Sequence, residues 1–289
     1  MDTAKCEALI KALEVGNLSG AAHELGYTPS GMSRLIASLE QELGFPLLVR
    51  SKMGVKPTTD CTRLMPIFSE MAALGRTLDE TAAHIRGVDV GTVRVGTAYS
   101  QFYASLAQIL TDFERQHPHV QVDISLANST PLVRRLEAHE IDLCIISRRE
   151  GTYEWTPLFD NELVALVSSD HPLADAKSFP IERFAEEQFV EVYPGQESDN
   201  SRTLAEHGIE PHVRFSVFDT QAAHELVAAG LGVTLMNRLY AREQPGRLIA
   251  KSLEPRTFVE IGVAMSATSQ LSPAVKAFAD FAIPRLKTS

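Results

Sequence analysis

Paired cysteines, long apolar runs and tryptophan are all scarce in this chain. The three cysteines, Cys6, Cys61 and Cys144, are odd in number and scattered over 289 residues. That pattern excludes a disulfide framework and offers no zinc-ligand spacing. They read as small core residues in a reducing compartment, a redox role being the alternative. No apolar run approaches the roughly 20 residues needed to cross a bilayer. The stretch Met1–Leu13 mixes charged and apolar residues and has no signal-peptide core, so a cytoplasmic protein with no membrane partner is expected. Catalytic arrangements are missing too. Nine histidines are dispersed, with no HExxH, no GxSxG elbow and no metal-spaced Cys/His group. Ala229-Gly230-Leu231-Gly232 lacks the lysine of a phosphate loop and reads as a tight helix-to-strand turn. The expectation is a non-enzyme with no catalytic residue, metal or cofactor.

A strongly basic balance is also absent, since the formal net charge is −10. Its distribution is uneven. Residues 1–90 hold nine Lys and Arg against eleven Asp and Glu, and residues 91–289 hold eighteen against twenty-six. Within 28–58, Arg34, Arg50, Lys52 and Lys56 face only Glu40 and Glu42. A locally basic face can attract phosphate whatever the whole chain carries, because counterion release depends on the contacting surface.

That segment also holds the strongest pattern. In LSGAAHELGYTPSGMSRLIASLEQEL, residues 18–43, Ser19 can cap a helix through Ala21, Ala22 and Leu25. The alanine pair leaves room for a crossing helix, and Gly26 can take the left-handed conformation that stops it. Thr28 suits a cap and Pro29 a first helical position. The second helix sets Met32, Leu35, Ile36, Leu39 and Leu43 on one face, leaving Ser30, Ser33 and Arg34 free to point outward. Two short helices joined by a glycine turn form a helix-turn-helix, whose second helix enters the major groove of double-stranded DNA. Arg34 can bind a phosphate or a guanine edge, and the serines can bind either base edges or phosphates. A plain helical hairpin is the alternative. Next, Leu47–Arg50 reads as a strand, Ser51–Gly54 as a turn and Val55–Thr58 as the return strand. This would be a wing bringing Arg50, Lys52 and Lys56 to phosphates, or else a solvated hairpin with surface cations.

The run AAHELGYTPSGMSRLIASLEQELGFPLLVRSKMGVKPTT resembles the N-terminal region of LysR-type transcriptional regulators. The matching positions are Ala21-Ala22, Leu25, Ser33, Leu39-Glu40, Leu43-Gly44, Leu47, Arg50 and Thr58. Three departures stand out. Pro29-Ser30 replaces the family's frequent Gln-Pro, Val49 its usual Phe before the wing arginine, and Cys61 a glycine after the wing. The resemblance implies a transcription factor that answers to a small-molecule effector. Its partners would be double-stranded operator DNA, further copies of itself as dimer or tetramer, and RNA polymerase.

Residues 59–88 carry a seven-residue repeat. Leu64, Met71, Leu78 and Ile85 recur at one position, and Ile67, Leu74, Thr81 and Val88 three residues later. Such a seam pairs one helix with another, either its copy in a dimer or a surface of its own effector domain. In a dimer, Leu64, Met71, Leu74, Leu78 and Ile85 would form the contact, and a pseudo-palindromic operator would follow. Pro66 would mark the helix start or a kink.

From Gly91 the pattern alternates. Strands are expected at 92–96, 120–126, 142–146, 163–168, 189–192, 213–218, 233–236 and 260–267. Helices are expected at 100–116, 131–139, 201–207, 220–229 and 273–286. This predicts a parallel sheet with crossover helices. The fold class expected is an all-α winged helix-turn-helix at 1–58 and a long linker helix at 59–90. A two-lobed α/β effector domain at 91–289, similar to periplasmic binding proteins, completes it. Lobe one would comprise about 91–161 and 266–289, and lobe two about 162–265. Ligands of such sheets bind at strand carboxyl ends near helix N-termini, which favour anions. The loops so placed nominate Ser100, Gln101, Ser129, Thr130, Ser147, Asp219 and Thr220 as effector contacts, with 198–202 closing the cleft. Ser100, Thr130 and Asp219 could equally be helix caps, and Pro131 is expected at a first helical position. Hydroxyls beside helix N-termini suggest a small carboxylate or similar polar metabolite. On the same scaffold a solute carrier or an enzyme is the competing reading, opposed by the missing leader and the missing catalytic groups.

Overall fold

A computed structural model describes residues 2–51, 53–241, 243–267 and 271–287. The N-terminal domain packs α1 (Thr3–Val15), α2 (Leu18–Glu24) and α3 (Pro29–Leu43) around one core, followed by the hairpin β1 (Leu48–Ser51) and β2 (Gly54–Pro57). The helix cap expected at Ser19 lies two residues earlier. Asn17 is the cap, its side-chain oxygen accepting from the Gly20 amide at 2.7 Å. The earlier start lets Leu18 pack against the core. Gly26 is left-handed at φ 69°, Thr28 caps α3 through the Gly31 amide at 3.1 Å, and Pro29 opens the helix. Of the apolar face, Met32, Ile36 and Leu39 are buried, and Leu35 and Leu43 pack at the margin. The wing is anchored at both ends. Glu40 accepts from the Leu47 and Leu48 amides at 2.8 and 3.1 Å, and the Val55 amide reaches the Gly16 carbonyl at 2.8 Å.

Thr58 leaves the wing to cap α4 (Thr59–Ile85), accepting from the Cys61 amide at 3.1 Å. Pro66 lies inside this helix and is not its start. A proline there removes one intrahelical donor, which the helix tolerates while Phe68 and Ala72 anchor it in the N-terminal core. The seam residues Ile67, Leu74, Leu78 and Ile85 are exposed, the last two at 69% and 81%, whereas Leu64 and Met71 pack beside the N-terminal core.

The C-terminal domain begins with β3 (Gly91–Thr97), a 3-10 turn (Ser100–Phe102), α5 (Tyr103–Glu114), β4 (Val120–Leu126), α6 (Ser129–Glu137) and β5 (Leu143–Ser147). β3 pairs in parallel with both β4 and β5, as the crossover pattern predicts. Then come β6 (Tyr153–Ser168), β7 (Phe179–Pro180), β8 (Gln188–Val192), α7 (Asp199–Glu206), β9 (His212–Val217), α8 (Thr220–Ala228), β10 (Thr234–Asn237), β11 (Leu248–Ser266) and α9 (Pro273–Leu286). The main sheet runs β10-β6-β11-β5-β3-β4, with β8 and β9 paired in parallel beside it.

β6 and β11 are antiparallel partners over most of their length and pass through both lobes. Each is far longer than its apolar stretch predicts. The return crossing, expected near Ser266, is made inside β11, since Ile261–Met265 already pair with β5. Pro157 and Pro255 hid the extensions, and both sit at irregularities. Pro157 lies opposite Gly262, where the register shifts, and Pro255 falls between the paired residues Ser252 and Thr257. A ladder that breaks there needs no proline N–H. Separate cores fill the lobes, one under α5 and α9 around Phe113 and Phe278, and one around Phe179, Phe184 and Phe189.

Candidate functional site

The outer side of α3 presents Ser30 and Arg34 exposed and Ser33 half-buried. Arg34 makes no ion pair among the described residues. The wing joins this face directly, for Arg50 Nη1 donates to Ser33 Oγ at 3.2 Å. Thr28, Pro29, Arg50 and Lys56 are exposed beside it. Lys52 lies outside the described residues. Burying one face of α3 therefore presents Arg34 and a hydroxyl row on the other, and the wing adds Arg50, a cationic, hydrogen-bonding surface that matches phosphates and base edges.

A second concavity of about 500 Å³ opens between the lobes. It lies at the carboxyl ends of β3, β4, β8, β9 and β10, with the N-termini of α6, α7 and α8 on its wall. At its floor lies a buried ion pair. Arg149 Nη2 sits 2.8 Å from Asp199 Oδ1, with side chains only 7% and 6% exposed. Asp199 Oδ1 also accepts from Ser147 Oγ at 2.6 Å, and Oδ2 accepts from Tyr99 Oη and Asn237 Nδ2, each at 2.9 Å. Arg149 Nε donates to Thr130 Oγ1 at 3.2 Å, and Nη1 to Ser147 Oγ at 2.8 Å. Burial by itself would push the Asp199 carboxyl up. The Arg149 charge and the hydrogen bonds from Ser147, Arg149 and Asn237 outweigh it and hold the group below the ordinary carboxylate range. Burial, with the Asp199 charge, pushes the Tyr99 phenol far above its usual range, so it stays a donor. Tyr240, pushed up to about 12 mainly by burial, donates to the Ala98 carbonyl at 2.9 Å.

Five of the seven nominated residues line this cavity: Ser100, Gln101, Ser129, Asp219 and Thr220. Ser147 and Thr130 lie behind the wall, Ser147 buried against Ser129 Oγ at 3.0 Å and Thr130 holding Arg149. Asp219 is a helix cap, accepting from the Ala222 amide at 3.0 Å. Ser100 and Thr130 are not caps. Ser100 begins the 3-10 turn, and α6 starts after Asn128, which places Pro131 third in the helix and not first. A proline is tolerated anywhere in a first turn, where amides lack intrahelical partners. Sequence reading missed Arg149 and Asn237, and placed Asp199 only within the segment 198–202 expected to close the cleft, which does line it. The alternation of β5 carried a signal for one of them. Ser147 faces in, Arg148 faces out to Glu260 at 3.1 Å, and Arg149 turns in again.

The three cysteines are buried, and burial pushes the Cys61 and Cys144 thiols up to about 11 and 12. No helix among the described residues is long and apolar enough to cross a membrane.

Comparison with known proteins completes the picture. Residues 4–62 match the family model described as bacterial regulatory helix-turn-helix protein, lysR family, and residues 86–287 match the LysR substrate binding domain. A probable HTH-type transcriptional regulator, LrrA of Synechococcus elongatus, is 28% identical over 284 residues, covering 97% of this chain and 96% of that one. Full-length OxyR from Pseudomonas aeruginosa shares the fold with a TM-score of 0.75 at 19% identity, over 97% of this chain and 94% of its own. The Synechocystis CcmR regulatory domain in complex with 2-PG aligns with a TM-score of 0.57 at 22% identity, covering 67% of this chain and 96% of that domain. The chain therefore belongs to the LysR family of transcriptional regulators, oligomeric DNA-binding proteins with an effector-binding domain and no enzymatic role.

Proposed function

We propose that this chain is a sequence-specific transcription factor of the cytoplasm, whose hold on its operator responds to a small polar metabolite bound between the lobes. The observation that carries this reading is the shared face of α3 and the wing, where Arg50 is bonded to Ser33 beside exposed Ser30 and Arg34. In this reading α3 enters the major groove, Arg34 reads a base edge or a phosphate, and Arg50, Lys52 and Lys56 hold the backbone.

The exposed stripe on α4 supports pairing with a second copy through Leu74, Leu78 and Ile85, flanked by Leu64 and Met71. Two-fold pairing would set two recognition helices on successive major grooves and so favour a pseudo-palindromic operator. RNA polymerase at the neighbouring promoter is the further partner. Ser100, Gln101, Ser129, Asp219 and Thr220 would meet the metabolite, with Ser147 and Thr130 holding Ser129 and Arg149 in place. A likeness in fold to a regulatory domain that holds 2-PG supports the cleft as the effector site.

Fluorescence anisotropy over a range of salt tests the reading, with the intergenic DNA beside the gene against a scrambled duplex. Tight, salt-dependent binding to the native fragment alone is expected. Equal binding to both at physiological salt would sink it.

A further inference from the structure

We propose that Asp199 is a resident carboxylate that fills the anion site of the cleft. The cleft then selects a ligand rich in hydrogen-bond donors, an amine or a polyol, over an acid. This rests on the interlobe cavity being the effector site.

Asp199 has the surroundings of a bound acid. Both oxygens are used, each by two donors, and the four donors come from Tyr99, Ser147, Arg149 and Asn237. Charged hydrogen bonds of this kind are the strong ones, and they are stronger where water is excluded. Arg149 is the sole lysine or arginine on the cavity wall among the described residues. Its guanidinium is already engaged by Thr130, Ser147, the Arg148 carbonyl and Asp199. An incoming carboxylate would have to displace a tethered one that competes intramolecularly. Two of the three helix N-termini on the wall, which would otherwise draw an acid, carry the protein's own carboxylates, while no side chain caps α6. Asp199 lies in the first turn of α7 and Asp219 caps α8. At α6 the Ser129 hydroxyl is bonded to Ser147, and Asn128 donates to Gln196 at 2.9 Å.

Beside its hydroxyls and amides, the wall offers acceptors. Asn200 Oδ1 is buried without a donor, and the Asp219 carboxylate lies on the wall nearby. A buried acceptor without a partner favours whatever ligand supplies a donor. Of the hydroxyls that suggest a carboxylate from sequence alone, Ser147 is bonded to the protein's own acid and Thr130 to the Arg149 that pairs with it.

Chemical rescue of the full-length chain tests this. Asp199→Ala should lower the melting temperature, and acetate should restore it progressively, as a ligand that binds only the folded form does. Wild type should show no such response beyond a chloride control of equal ionic strength. Succinate should bind the variant at least about tenfold more tightly than wild type. Should Asp199→Ala fail to fold, Asp199→Ser also vacates the carboxylate position while keeping a polar group, and the same acetate dependence is expected. Wild-type binding of acetate or succinate as tight as the variant's overturns the proposal. So does a wild-type preference for succinate over 1,4-diaminobutane and erythritol. The acetate titration reads the cage alone, while the effect of a bound probe on operator binding reads the effector role, so either can fail without the other.

Discussion

Arg34 and Asp199 are both charged, and burial separates their roles. Arg34 is exposed and unpaired by any carboxylate among the described residues, so its charge is available to a partner. Replacing it with alanine should cost about 1–3 kcal/mol of operator affinity if it reads a guanine, with relaxed specificity at that base. Unchanged affinity in an anisotropy titration would remove it from the interface. Asp199 is buried on Arg149. Deleting one partner of a buried ion pair strands the other, so Asp199→Ala should destabilise the effector domain by about 3–5 kcal/mol. The pair also has a pH signature. A carboxyl held below its ordinary range contributes stability above its unfolded pKa of about 3.9 and loses it as pH falls further. The gap in melting temperature between wild type and Asp199→Asn should be full at neutral pH and shrink below about pH 4. A gap that stays constant to lower pH would mean that the charge of Asp199 is not what stabilises the domain.

Elements show which local signals survive packing. The caps at Thr28 and the stop at Gly26 were legible because they are local backbone chemistry. The lower halves of β6 and β11 were not, since Pro157 and Pro255 break the alternation and only the neighbouring strand reveals that they sit at register shifts. The wing depends on Gly54, whose φ of 115° suits glycine and where a Cβ would lie 2.1 Å from the Gly16 carbonyl oxygen. Gly54→Ala should displace the wing from the end of α1 and cost about 1–3 kcal/mol in the N-terminal domain. Operator binding should weaken in parallel, and thermal melting with anisotropy checks both. α4 leaves Leu78 69% exposed. Leu78→Asp should turn an oligomer into a monomer with weak operator binding, read by sedimentation velocity. A dimer that survives it would place the pairing elsewhere.

At the scale of the whole molecule, charge and topology work at a distance. A chain of net charge −10 is repelled by DNA except where α3 and the wing meet it. Non-specific binding should accordingly be weak and steeply dependent on salt. Arg50→Ala and Lys56→Ala should each lower affinity across sequences and reduce the logarithmic salt slope by about one. A slope unaltered by either would take the wing off the phosphates. The lobes share two continuous strands, β6 and β11. The linker helix meets lobe one at the opposite end of β3 from the cleft, where the Thr92 amide donates to Glu80 at 3.3 Å and Arg76 reaches the His139 carbonyl at 3.4 Å. α6 runs from Ser129 on the cleft wall to the end that carries His139, and so joins the two places.

The helix-turn-helix, the wing and the apolar repeat on α4 followed from the sequence by itself, because periodicity, caps and glycine stops act within a few residues, whereas α1 and β7 did not. Five of the cavity-lining residues followed too, since strand ends and helix starts mark where such sheets bind. Only the tertiary structure decided what those residues face. Asp199 is separated from Ser147 by 52 positions and from Tyr99 by 100, and no local pattern reports that two lobes bring them within hydrogen-bond reach. The electrostatics of the cleft are set by that meeting. A carboxylate that reads along the chain as part of a segment closing the cleft is, in the structure, buried against Arg149 and held by four donors.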